Sequence, residues 1–130
     1  MSFFHAVVWL DHESAWVVRL RAQDFESRHI KAHHHNTRQH ASGVRTEHEF
    51  FGAVCDDIAG ISEVLVCGSH TTLADLRHYV TKHRPAADQQ IAGWEVSERC
   101  SEPQLAAFAR QYFEKHDRMA GFRTATRDPA

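Results

Sequence analysis

The sequence predicts an α/β domain built on a mixed sheet, and three observations carry that prediction. Val64, Leu65, Val66 and Cys67 form an unbroken apolar run, the pattern of a central strand covered on both faces. Helix-period segments flank it, with Phe50, Phe51, Val54, Cys55 and Ile58 before it and Leu73, Leu76 and Val80 after it. Two short β-branched and aromatic runs open the chain at hairpin spacing.

Taken in order, Ala6 to Leu10 reads as a buried strand, Asp11-His12-Glu13 as a turn, and Ser14 to Arg21 as the returning strand. Phe25 to Lys31 reads as a third strand, more polar and nearer an edge. His33 to Arg45 has no hydrophobic periodicity and carries Gly43 near its end. It reads as a loop, long enough to be expected either functional or disordered. Thr46 and Glu49 make a Thr-x-x-Glu capping box and predict a helix from Thr46 to about Ala59, stopped by Gly60. Gly68-Ser69 ends the central strand, and a second helix is predicted from Thr71 to His83, halted by Pro85. Gln90 to Val96 reads as another strand. Ser101-Glu102-Pro103-Gln104 combines a cap, an early proline and a capping glutamine, so the last helix starts there. Its expected inner face is Leu105, Phe108, Ala109, Tyr112 and Phe113. Residues 1–120 are read as one domain and 121–130 as a polar, frayed tail. The order β-β-β-α-β-α-β-α, with right-handed crossovers laying helices on the sheet, is the ribonuclease-H-like arrangement.

A chain of 130 residues can bury a core without staples. Its net charge of −2 excludes any global attraction to nucleic acid or membrane, so such attraction must be local. Cys55, Cys67 and Cys100 are odd in number and widely spaced, and are read as reduced thiols. The apolar start at Phe3 and Phe4 lacks a basic flank and is broken at Asp11, unlike a signal peptide. No run approaches the roughly 18 apolar residues of a membrane span. The expectation is a cytoplasmic protein with no membrane partner.

The segments that carry the fold prediction also carry a resemblance. They are Ala6-Val7-Val8-Trp9-Leu10-Asp11 with Ala15-Trp16-Val17-Val18, the Glu49-Phe50-Phe51 helix start, and Val64-Leu65-Val66-Cys67-Gly68-Ser69 leading into the helix of Leu73 to Val80. Together these segments resemble the middle domain of archaeal and eukaryotic peptide-chain release factors and of the ribosome-rescue factor Pelota. Small bacterial relatives of that domain are labelled translational machinery proteins. The resemblance covers most of residues 5 to 115. In release factors the loop between the third strand and the first helix carries a Gly-Gly-Gln tripeptide that promotes peptidyl-tRNA hydrolysis. The corresponding segment here is about His33 to Arg45, and Gly-Gly-Gln occurs nowhere in the chain. The family's decoding and C-terminal domains have no counterpart either. The resemblance therefore implies a non-catalytic partner of ribosomal components or structured RNA, with no cofactor and no peptide-release chemistry.

The candidate contact residues lie in the same segment. From Ser27 to Thr46 there is no acid, and Arg28, Lys31, Arg38 and Arg45 give +4 against −6 for the remainder, the two making the total of −2. His29, His33, His34, His35 and His40 add charge as pH falls towards about 6. A local cationic excursion of this kind can grip phosphates, and the set expected to do so is Arg28, Lys31, His33, His34, His35, Arg38, His40 and Arg45. The plainer alternative is a solvated loop. No aromatic residue interleaves these cations, which argues against base-specific stacking by the loop itself. Gly68, Ser69 and His70 stand at a strand-to-helix junction, where free amides make an anion site, although Ser69 would equally serve as a plain helix cap.

Two rival readings use other chemistry. His33 with His35, or His29 with His33, could share a metal ion, but no paired cysteines complete a tetrahedral site. A two-metal nuclease would need converging carboxylates, for which Asp11 with Glu47 or Glu49 supplies an incomplete set. Trp9, Trp16 and Trp94 are read as core residues or, where a sheet face is left uncovered, as a homodimer contact.

Overall fold

A computed structural model describes residues 3–32 and 42–127. Three antiparallel strands open it, β1 (His5–Leu10), β2 (Ser14–Leu20) and β3 (Phe25–Lys31). Helix α1 (Ser42–Asp57) leads to β4 (Glu63–Gly68), then come α2 (His70–His83), a short α3 (Pro85–Gln90), β5 (Ile91–Val96) and α4 (Glu102–Arg127). The five strands lie in the order β3-β2-β1-β4-β5, and β4 runs parallel to both β1 and β5. This is the mixed, ribonuclease-H-like sheet that the sequence predicts.

Strand alternation divides the core into two layers. Ala6, Val8, Leu10, Ala15, Val17, Val64 and Val66 face α1 and α2, where Phe50, Phe51, Val54, Leu76 and Val80 meet them. Val7, Trp9, Val18, Leu20, Leu65 and Cys67 face the other way and are covered by Leu105, Ala106, Ala109 and Phe113 of α4. The central strands β1 and β4 are thus buried on both sides, which is why they read as continuous apolar runs. Where β1 and β4 meet at Leu10 and Gly68, a Cβ on Gly68 would collide with the Leu10 carbonyl. Only glycine permits that approach.

Several expectations need correction. The first helix begins at Ser42 and not at Thr46, so Thr46 is an interior helical residue, buried at 5% exposure. Its hydroxyl does not sit at a helix start, and Glu49 pairs instead with Arg45 one turn back at 3.2 Å. The predicted loop is correspondingly shorter, since Ser42 to Arg45 are helical. A short α3 occupies Pro85–Gln90, where the proline sits in its first turn, and Gln90 Nε2 donates to the carbonyls of Ile58 and Ile61 at 2.7 Å each. Phe108 is 40% exposed, because the buried stripe of α4 is Leu105, Ala106, Ala109 and Phe113 and Phe108 falls outside it. The α4 backbone is helical from Glu102 to Arg127.

The capping expectation for α4 does hold. The Ser101 amide donates to Gln104 Oε1 at 3.0 Å and the Gln104 amide donates to Ser101 Oγ at 3.3 Å, a reciprocal capping box. All three cysteines are free thiols. Burial pushes Cys55 up to about 11 and Cys67 up to about 12.

Candidate nucleic-acid interface

Strands β1, β3, β4 and β5 all run in one direction, so their C-terminal ends share one edge of the sheet. Open α/β sheets bind ligands at that edge, because the loops there converge without blocking one another. Here it gathers the β1–β2 turn, the end of β3, the starts of α1 and α2, and the segment between β5 and α4.

Register places Trp9 opposite Trp16 and Trp16 opposite His29, so three flat side chains line one face across three adjacent strands. The indoles of Trp9 and Trp16 lie 5.9 Å apart, and the His29 ring stacks on Trp16 at 4.2 Å with an 18° tilt. From the segment after β5, the Arg99 guanidinium lies 4.1 Å from the Trp16 ring centroid, a cation–π contact. Trp9 is buried and its indole N–H donates to the Ser97 carbonyl at 3.3 Å, whereas His29 and Arg99 are exposed. At the start of α4, Glu102 Oε2 accepts from the Ser27 hydroxyl on this face at 2.8 Å. Lys31 follows on the same face of β3 and, among the described residues, has no ion-pair partner.

The other predicted cations are placed differently. Arg28 points to the opposite face of β3, with Nε 3.4 Å from Asp57 at the end of α1. Arg45 is held by Glu49. Two of the three described cations of the predicted set are therefore partly neutralised, and the +4 counted along the sequence overstates the charge free to meet a phosphate. A groove of about 380 Å³ separates Arg28 to Lys31 from Glu49, Phe50 and Ala53 of α1. His33, His34, His35, Arg38 and His40 lie outside the described residues.

Ser69 caps α2. Its hydroxyl accepts from the Thr72 amide at 3.4 Å and bonds the buried Thr72 hydroxyl at 2.6 Å. The expected anion site at Gly68, Ser69 and His70 thus has its serine engaged within the helix start, and Gly68 is explained by its approach to Leu10. Asp11 likewise closes the hairpin, Oδ1 accepting from the amides of Glu13 and Ser14 at 2.9 Å each. The nuclease reading wanted that carboxylate free.

Sequence reasoning missed a neighbouring constellation. His12 Nδ1 is 3.2 Å from the Thr72 hydroxyl and Nε2 is 3.2 Å from Asp75 Oδ2, with Glu47 close by. It also missed the stacking of His29 and Arg99 on Trp16. The Trp9–Trp16 pairing was readable from the hairpin spacing, but nothing local places Arg99 over the pair.

No protein-family model matches the sequence, and no curated protein matches it. Solved structures do match it, among them the following two. The archaeal translation termination factor aRF1 superposes over 92% of this chain with a TM-score of 0.52 at 12% identity. Pelota from Archaeoglobus fulgidus superposes over 93% with a TM-score of 0.52 at 15% identity. The chain shares its fold with aRF1 and Pelota. It spans 41% of the aRF1 chain and 39% of the Pelota chain, about two fifths of either. At 12% and 15% identity the superposition shows a common fold and transfers no residue's role. None of the helices among the described residues is long and apolar enough to cross a membrane.

Proposed function

We propose that this chain is a translation-associated binding module that meets structured RNA, on the ribosome or free, with the C-terminal edge of its sheet, and that it works in the cytoplasm by binding and not by catalysis. The observation that carries this reading is the His29–Trp16–Arg99 column standing beside Lys31. Flat, exposed imidazole and guanidinium groups offer stacking surfaces to unpaired bases, and Lys31 and Arg99 offer charge to the backbone. The fold held in common with aRF1 and Pelota supports a setting in translation. The absence of Gly-Gly-Gln supports a role without peptide release.

The interface differs from the one expected of the loop alone. The stacking groups that the cationic segment lacks are supplied by β2 and by the segment after β5. Binding of a hairpin RNA with an open loop, followed by fluorescence anisotropy, tests this reading. Binding that weakens with salt and with Trp16→Ala supports it, and binding indifferent to both refutes it.

A further inference from the structure

The opposite edge of the sheet brings together four side chains from three distant parts of the chain. His5 opens β1, Glu63 opens β4 beside it in register, and His116 and Asp117 come from α4. His5 Nε2 lies 2.8 Å from Glu63 Oε1 and 3.3 Å from Asp117 Oδ2. His116 Nδ1 lies 3.4 Å from Asp117 Oδ1 and 3.7 Å from Glu63 Oε2. Both rings are held in place, His5 stacking on Phe113 at 4.1 Å and His116 lying parallel to Tyr112 at 5.9 Å.

Spacing and charge both point to a cation at the centre. Ligand atoms bound to one tetrahedral ion at about 2.0–2.1 Å stand roughly 3.3 Å from one another. His5 Nε2 stands 2.8 Å from a Glu63 oxygen and 3.3 Å from an Asp117 oxygen, near that value, and one ligand atom from each of the three residues lies within 4.8 Å of the others. His5 Nε2 also faces two carboxylates at once. A single proton on the imidazole would answer one negative charge, whereas a divalent ion answers both. The His5 imidazole among the donors favours zinc and its transition-metal neighbours over magnesium or calcium.

We propose that His5, Glu63 and Asp117 form a binding site for a divalent transition-metal ion of the zinc class, with His116 beside the two carboxylates, independent of the RNA reading. Three protein donors leave the fourth position of the tetrahedron to water, and the ion ties α4 to the starts of β1 and β4. The site uses none of the histidines between His29 and His40, which sequence reasoning considered for metal.

The test titrates the full, untagged chain, stripped with chelator, with zinc chloride against a chromophoric competitor. His33, His34, His35 and His40 are first replaced by serine to remove adventitious ligands. That background variant keeps one zinc per chain and, with cobalt(II), shows the visible absorption of a tetrahedral site. Adding Glu63→Gln or His5→Gln weakens zinc about a hundredfold or more, at or beyond the upper end of what losing a supporting group costs. Should either fail to fold, Asp117→Asn on the more exposed side of the cluster reads the same site. Zinc binding that vanishes with the four serines, or that ignores all three ligand substitutions, overturns the proposal.

Discussion

Trp16→Ala gives the sharpest test of how the proposed interface divides its work. Trp16 is the group on which both His29, at 4.2 Å, and Arg99, at 4.1 Å, are assembled. Removing the indole leaves the two outer groups without their platform. Base–aromatic stacking contributes about 1–3 kcal/mol per base, so the expected loss in RNA affinity is roughly 5- to 150-fold. The indole carries no charge, and the slope of log affinity against log salt should therefore stay the same. Lys31→Ala should behave in the converse way, flattening the slope by about 0.7 for one lost single-stranded phosphate contact. Arg28→Ala should flatten it less, because Arg28 already shares its charge with Asp57 at 3.4 Å. The assay is anisotropy of a labelled hairpin RNA between about 50 and 200 mM salt. Thermal melts of each variant, with Trp16→Phe as the variant that keeps a stacking ring, separate binding from folding. A Trp16→Ala variant that changes the slope but not the affinity, or a Lys31→Ala variant that leaves the slope intact, refutes this division of work.

Three further outcomes follow from the packing. Gly68→Ala should destabilise the protein by about 1–3 kcal/mol in a urea melt, because its methyl group meets the Leu10 carbonyl and the β1–β4 pair must separate. Ser101→Ala should cost about 1 kcal/mol, read by the same melt, because it removes the hydroxyl half of the capping box of α4. Stability should also fall as pH rises above 9, the ordinary thiol value, towards about 11 for Cys55 and about 12 for Cys67. In that window the unfolded chain has released protons that the buried thiols retain, so each thiol lowers stability by about 1.4 kcal/mol per pH unit. Denaturant melts at successive pH values check this, and Cys67→Ala should give a shallower decline.

Elements with a strong local signal were legible in the sequence. The α4 start was one, since Ser101 and Gln104 sit three residues apart and satisfy each other's amides. The buried β4 run was another, as β4 is covered on both faces. Where the local signal was ambiguous, tertiary packing decided. Thr46 has the chemistry of a cap, yet it is buried inside a helix that starts one turn earlier. Pro85 reads as a stop and is also a start, because proline suits the first turn of a helix as well as it ends the one before. The site was less legible than the fold. The cations of β3 were visible as composition, but their partners were not, since Arg28 meets Asp57 only after α1 has crossed the sheet. His5 and Glu63 are 58 residues apart and become neighbours only through the parallel pairing of β1 and β4. No window of sequence contains that pairing.

We propose that the protein holds RNA in translation with the edge bearing Trp16, His29, Lys31 and Arg99. Sedimentation of the untagged protein with ribosomal subunits at low and high salt tests it most directly, run beside the Trp16→Ala/Lys31→Ala double variant. The native protein should pellet with subunits at low salt and be released at high salt, and the double variant should stay in the supernatant at both. Equal pelleting of native protein and double variant, or a native protein that never pellets, would contradict it.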